Sequence, residues 1–346
     1  MSRNQSPGSE DFDDAIEFFI EEMTFHGRSS RTCESYKRIL RDFESFLEDY
    51  SSGSLKSATR RDCMNWVHNL RGTYASSTVA SYAGYLNRFY AYMNQVGVYD
   101  SNPMGLVLTE MNESIDTDPA RREIQLHEIR SFVQSINHPL HLAIVGTLLK
   151  TGMRVGECCN LDLRDINIID NEVNSAYEYN PRGAIDNRPD TLFVDSSPTF
   201  EEEFNGEKRS ATNKRTRDTI IPIDEELKSI LKIWLAIRPD TSAGGNPLFC
   251  STNEWGSRLT PSMVRSSIKP YTSNFGWYRV GGGSEENVTP HYFRHFFTTH
   301  LRDRTGDRGI VKYIRGDVAD DIIDTYTHNW GDRVRQVYIN NIYRIL

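Results

Sequence analysis

Apolar residues return every third or fourth position through the first hundred residues of the chain. Phe18, Phe19 and Met23 set this spacing in the first segment, and Tyr36, Leu40, Phe43 and Leu47 form one stripe along SSRTCESYKRILRDFESFLEDY. The spacing predicts helices that each bury one face, the second capped by Ser29, Ser30 or Thr32. A third helix is predicted over 59–70, with Ala58, Met64, Trp66 and Val67 apolar. A fourth is predicted over 76–96, with Val79, Tyr82, Leu86, Phe89 and Tyr92 on one side. Helices so closely spaced make a small bundle. Asn102-Pro103 and the polar run 109–122 then break the pattern and mark a linker.

Beyond the linker the pattern is mixed. Helical spacing covers 126–136, 140–150 and 155–161, and resumes at 225–236, at 261–271 and from Pro290 onward. Short apolar runs at 165–169, 191–195 and 218–223 read as strands of a small antiparallel sheet. A polar insertion, 171–189, and an acidic loop, 196–207, lie between them. The expected fold class is mainly α with a small antiparallel β-sheet: a four-helix domain at 11–105, a linker at 106–122 and a mixed α/β domain at 123–346. Residues 1–10 read as a disordered arm. The closing segment RVRQVYINNIYRIL places Val334, Tyr338, Ile342 and Ile345 in helical register. Such a tail can dock on its own domain or on a neighbouring protomer.

Composition adds constraints. The 346 residues are 38% hydrophobic and 25% charged, and no apolar run approaches the roughly 20 residues that span a bilayer. The start of the chain lacks the features of a signal peptide, and the five cysteines include no CxxC pair. A cytoplasmic protein without membrane association is expected. A net charge of −8 disfavours a nucleic-acid partner when taken as a sum. The distribution points the other way. Asp11, Asp13, Asp14, Glu17, Glu21 and Glu22 gather at the start, whereas 56–88 carries Arg60, Arg61, Arg71 and Arg88 against Asp62 alone. An acidic back with a basic working face reconciles the two.

Candidate chemistry is concentrated in the second part. In VTPHYFRHFFTTHL, Thr289 is placed to cap and Pro290 to start a helix that carries His291 and Arg294 on one face. Arg154 and Glu157 stand in TGMRVGE, where the plain alternative is a surface ion pair. Lys214 stands eight residues before Pro222, in a stretch that also reads as a solvated basic turn, with Lys208 as the reserve. Tyr326 lies in IIDTYTHNW, with Tyr313, Tyr338 and Tyr343 as rivals. Two arginines, a lysine, a histidine and a tyrosine suffice to break a phosphodiester with no metal or other cofactor. Guanidinium groups hold the oxygens, the phenol attacks, and the acid–base groups move two protons. His291 and His295 are spaced as zinc ligands, but nothing completes such a site.

The order and spacing of Arg154, Lys214, His291, Arg294 and Tyr326 resemble the tyrosine recombinase (phage integrase) family. The N-terminal run SxxTxxSYxxxLxxFxxF resembles that family's SAM-like core-binding domain. The resemblance implies a site-specific recombinase that closes on double-stranded DNA and works as a homotetramer on two DNA sites. It implies that Tyr326 forms a 3′-phosphotyrosyl link, Arg154 and Arg294 clamp the phosphate, Lys214 protonates the leaving 5′ oxygen, His291 assists and Glu157 supports. Backbone contacts are expected from Arg31, Lys37, Arg60, Arg61 and Arg88, with Ser76, Ser77 and Thr78 at a helix start. One position departs from the family: Asp317 follows Gly316 where many relatives carry histidine or tryptophan. Its carboxylate can orient Arg294 or His291, with His328 or Lys312 substituting as donor, or it can simply cap the segment VADDIID. A type IB-like topoisomerase and a catalytically weakened DNA-binding regulator are the alternative functions.

Overall fold

Asp14 opens the first helix, its carboxylate accepting from the backbone N–H groups of Ile16 and Glu17. The computed structural model describes residues 14–51, 53–115, 121–170, 173, 177, 180–241, 244–254, 256–283, 285–317 and 330–346. It divides into two compact units, Met1–Pro119 and Ala120–Leu346. The expected arm at 1–10 lies outside the described residues.

The N-terminal unit comprises α1 (Ala15–Phe25), α2 (Ser30–Tyr50), α3 (Arg60–Arg71), α4 (Ser76–Gln95) and α5 (Gly105–Glu110). Ser29 is the residue that caps α2, and Thr59 with Asp62 forms a capping box at α3. Phe19, Phe43, Trp66 and Phe89 are buried. Their rings meet edge to face, Phe19 on Phe89 at 5.3 Å and Phe43 on Trp66 at 5.2 Å. Met64 is 51% exposed, against expectation, because the inward stripe of α3 is Cys63, Trp66, Val67 and Leu70. Helix α5 falls in the stretch read as linker. It buries Val107 and packs Leu108 against the bundle core, and six residues are too few to display a periodic stripe.

The second unit is mainly helical around a small antiparallel sheet, as the apolar pattern predicts. Its helices are α6 (Leu126–Gln134), α7 (Pro139–Thr151), α8 (Val155–Asn160), α9 (Glu225–Leu235), α10 (Pro261–Asn274), α11 (Pro290–Thr305), α12 (Arg308–Arg315) and α13 (Trp330–Asn341). Strands β1 (Ile166–Asn167), β2 (Thr191–Val194) and β5 (Thr219–Pro222) form one sheet, in which Leu192 pairs with both Ile166 and Ile221. Within the connection from β2 to β5, β3 (Glu203–Phe204) and β4 (Glu207–Lys208) make a two-stranded hairpin where the acidic loop was expected. Helix α7 is buried on nearly every side and packs on α9 and α11. Thr289 stands at the N-cap of α11, yet its side chain makes no capping hydrogen bond. Among the described residues, no helix is long and apolar enough to cross a membrane.

The tail docks on its own unit. Tyr338, Tyr343 and Ile345 are buried. The Tyr338 hydroxyl donates to the Lys150 carbonyl at 2.9 Å, and the Tyr343 hydroxyl to the Leu149 carbonyl at 2.5 Å. In return, the fully buried Lys150 ammonium donates to the Tyr343 carbonyl and to Asp224, each at 2.6 Å, and pairs with Glu226 at 2.5 Å. A buried cation with two carboxylates stabilises only while the set is complete. Lys150→Met is therefore expected to lower the unfolding free energy of this unit by about 3–5 kcal/mol. Urea unfolding followed by tryptophan fluorescence checks it, and a loss below about 1 kcal/mol would place the triad with ordinary surface pairs.

Candidate active site

Helix α7 ends on Gly152, whose φ of +60° is left-handed. A Cβ there would stand 2.2 Å from a ring carbon of Phe297, so glycine is required both for the turn and for the packing of α11. The turn delivers Arg154 to the N-cap of α8. Glu157, one turn into α8, is fully buried rather than on the surface. It accepts from the Arg154 backbone N–H at 2.9 Å and from Arg154 Nη1 at 3.0 Å. The same carboxylate accepts from Arg215 Nη2 at 3.0 Å. Arg215, which the sequence reading did not single out, is buried, and its Nη1 also donates to the Ile314 carbonyl.

Arg294 enters from α11 and is 2% exposed. Its Nη1 donates to the carbonyls of Gly152 at 2.7 Å and Arg315 at 3.0 Å, while its Nη2 donates to Asp317 Oδ1 at 2.6 Å. Arg154 Nη2 reaches the same oxygen at 3.2 Å. Arg315 Nε lies 3.0 Å from Asp317 Oδ2, close enough to pair but off hydrogen-bond geometry. Asp317 thus joins Arg154, Arg294 and Arg315; VADDIID, the segment it was alternatively expected to cap, lies outside the described residues. Four guanidinium groups, Arg154, Arg215, Arg294 and Arg315, share two carboxylates, Glu157 and Asp317. Burial, then the like charges of Arg315 and Arg154, push Arg294 down to about 9, against the opposing pull of Asp317 and Glu157.

His291 begins α11 at the exposed side of this cluster. Its Nε2 lies 3.1 Å from His295 Nε2, one turn along, so the two rings share one proton between them. Partial burial, and then the charges of Arg121, Arg294, Arg154 and Arg315, hold His291 below the usual imidazole range. Burial, with Arg121 and His291 next, brings His295 down to about 4. Both imidazoles are therefore neutral proton acceptors at pH 7. Lys214 is exposed, and it is its carbonyl that the cluster holds, accepting from Arg154 Nη1 at 3.0 Å. Lys208 lies on β4, and Lys312 is exposed on α12. Tyr326 and His328 lie outside the described residues. Tyr338 is fully buried and hydrogen-bonded, and burial raises its phenol well above the usual range. Among the described residues, no group of three or more His, Cys, Asp or Glu is placed to hold a metal ion.

In the N-terminal unit Arg31, Arg60, Arg61, Ser76 and Arg88 are exposed. Lys37 differs, because its ammonium is paired with Glu17 at 2.6 Å. Helix α4 has Ala75 at its N-cap and no side-chain cap, which leaves first-turn N–H groups available to an anion. Arg38, also not singled out, donates to the Tyr82 hydroxyl at 3.2 Å beside the half-exposed Tyr74. Its partner is 44 positions away in sequence, so no local signal marks it.

The model of the phage integrase family matches residues 122–332, and that of the phage integrase N-terminal SAM-like domain matches residues 16–97. Tyrosine recombinase XerC of Herpetosiphon aurantiacus is 24% identical over 331 residues, covering 92% of this chain and 91% of its own. The fold is similar to that of the Tn1549 transposon integrase in complex with transposon right end DNA, with a TM-score of 0.63 and 17% identity over 94% of each chain. It is also similar to the lambda integrase tetramer bound to a Holliday junction, with a TM-score of 0.61 and 14% identity over 89% of this chain and 77% of that one. The family match spans more than half of the sequence, and the chain belongs to the phage integrase family, the tyrosine recombinases.

Proposed function

We propose that the protein is a site-specific DNA recombinase that cleaves and rejoins strands through a 3′-phosphotyrosyl intermediate, using neither metal nor ATP. The observation that carries this reading is the convergence of Arg154 and Arg294, from different helices, on a single oxyanion at 3.2 and 2.6 Å. Two rigid donors aimed at one negatively charged oxygen are what a phosphorane needs as charge builds on its non-bridging oxygens. The guanidinium groups are held in place by backbone carbonyls and Glu157 before any substrate arrives, so little reorganisation is left for the reaction.

In this mechanism the Tyr326 phenolate oxygen bonds to phosphorus as the bond from phosphorus to the 5′ oxygen breaks. The phenol proton passes to neutral His291, and Lys214 gives a proton to the departing 5′ oxygen. The ester energy is kept in the tyrosyl link, so a 5′-hydroxyl from a partner strand reverses the step. The N-terminal bundle, with α5 as its last helix, acts as the core-binding domain, and residues 123–346 act as the catalytic domain. Arg31, Arg60, Arg61 and Arg88, with the first turn of α4 at Ser76, contact the DNA backbone. Lys37 contributes less, because Glu17 already neutralises it. Exchange between two duplexes requires four protomers, the assembly that lambda integrase forms on a Holliday junction.

A nicked duplex carrying the target site traps the intermediate. Wild-type protein is expected to give a denaturant-stable adduct, and Tyr326→Phe to give none while retaining DNA. Survival of the adduct would move the nucleophile elsewhere; site-independent relaxation of supercoiled plasmid would favour a topoisomerase, and specific binding with no adduct a regulator. Arg154→Lys removes one edge of the clamp and is expected to slow adduct formation by about 100-fold or more at unchanged folding; a change under about tenfold would remove Arg154 from the clamp. Because His291 is held below its ordinary value of 6.5, the adduct rate should stay level from about pH 8 down to 6.5 and decline only on further acidification. A decline centred above that point would exclude His291 as the proton acceptor.

A further inference from the structure

Each clamp arginine has one terminal nitrogen tied to the protein and one turned toward Asp317. Arg154 Nη1 is held by Glu157 Oε1 and the Lys214 carbonyl, and Arg294 Nη1 by the carbonyls of Gly152 and Arg315. The two Nη2 groups are the terminal nitrogens left for an incoming anion, and both are bonded to Asp317 Oδ1. The third cation, Arg315, has a buried Nε with no hydrogen-bond acceptor among the described residues, 3.0 Å from Asp317 Oδ2. A carboxylate and a phosphodiester each carry one negative charge on two equivalent oxygens, so they fit the same donors and repel each other when both approach.

We propose that Asp317 is an internal competitor of the scissile phosphate: its carboxylate occupies the donor edges of Arg154 and Arg294 and must release them before a phosphate can be clamped. The inference rests on the reading of these arginines as the phosphate clamp. Asp317 is suited to release where Glu157 is not. Its side chain is 24% exposed and stands just past the left-handed Gly316 that ends α12, whereas Glu157 is wholly buried within α8. A phosphate that binds must therefore displace a partner already in place, which lowers its apparent affinity by the fraction of molecules in which the carboxylate holds the clamp. Asp317 in this way disfavours a lone, weakly held phosphate and admits one delivered by DNA that is gripped elsewhere along the chain.

The test uses inorganic sulfate as the anion and the full-length protein, with ionic strength held constant by sodium chloride. Thermal unfolding is followed against sulfate concentration for wild type and Asp317→Asn. The variant should melt lower than wild type without sulfate, because buried Arg294 and half-buried Arg315 lose a counter-charge. It should reach a given sulfate-induced rise in unfolding free energy at about one-tenth of the wild-type concentration, the result expected if the carboxylate holds the clamp in about nine molecules of ten. Adding Arg154→Ala to Asp317→Asn should erase that gain, which locates the anion on the clamp. Asp317→Ala, read in the same way, covers failure of the Asn variant to fold. An unchanged or higher sulfate concentration for the same rise, or a gain that survives Arg154→Ala, overturns the proposal. A second readout separates competition from mere support: Asp317→Asn should lower the DNA concentration that gives half-maximal adduct, whereas loss of a supporting contact would lower the maximal rate alone. Sulfate binding involves no DNA and no Tyr326, so absence of any adduct would defeat the recombinase reading and leave the sulfate result to decide the competition.

Discussion

Arg294 is a cation in a dry place, and most of what surrounds it compensates for that. Removing a guanidinium from water is costly unless every lost hydrogen bond is replaced and the charge is balanced. The Gly152 and Arg315 carbonyls and the Asp317 carboxylate supply the replacements. That demand explains local features that otherwise look unrelated. Helices α7 and α12 both end on left-handed glycines. Gly152 offers its carbonyl to Arg294, and Gly316 lets the chain run close over Arg215, where a Cβ would meet the guanidinium at 2.6 Å. Each of the two helix ends is thus shaped beside a buried cation, Gly152 at Arg294 and Gly316 at Arg215.

The second buried cation of this unit shows the contrast. Lys150 is matched by Asp224, Glu226 and a carbonyl within 2.6 Å, so its charge is consumed by the structure and it serves to hold the tail. Among the described residues the cluster around Arg294 is balanced less completely, with four guanidinium groups against two carboxylates. Burial first, and that surplus of positive charge second, lower the affinity of Arg294 for its own proton, a cost that folding itself must tolerate. A fold meets such a cost where the surplus has a use, and a bound phosphate would relieve it. Stability and anion affinity are therefore opposed at this place and aligned at Lys150.

Much of the helical architecture is legible from sequence because its signal is local. The stripes of α2 and α4 and the residues Ser29 and Thr59 that begin helices all act within one or two turns. Helix α5 and the β3–β4 hairpin were not legible, since six and two residues leave no period to read. The motif residues Arg154, Glu157, Arg294 and Asp317 do stand in one hydrogen-bonded cluster. Arg215 and Arg315 escaped notice because they are defined by partners, and Arg215 meets Glu157 and Ile314 at separations of 58 and 99 positions. In the same stretch Lys208 and Lys214 are exposed while Arg209 and Arg215 are buried, and only tertiary packing distinguishes the two kinds. Lys37 illustrates the converse: it has a suitable type and place, but Glu17 from α1 claims it.

The two carboxylates of the cluster divide the work by where they sit in the chain. Glu157 lies inside a helix, receives hydrogen bonds from two arginines and from a backbone N–H, and has no exposed surface. Moving it would unravel the turn that presents Arg154. Asp317 follows a helix end, is partly exposed and holds the arginines only through their outward edges. A fixed anion sets where the guanidinium groups are, and an exchangeable one sets how readily they accept another. A histidine or tryptophan at position 317 would bring a donor and leave those edges open; an aspartate closes them with charge. In the proposed clamp, the residue at position 317 thus bears less on which arginines are present than on the state in which they wait.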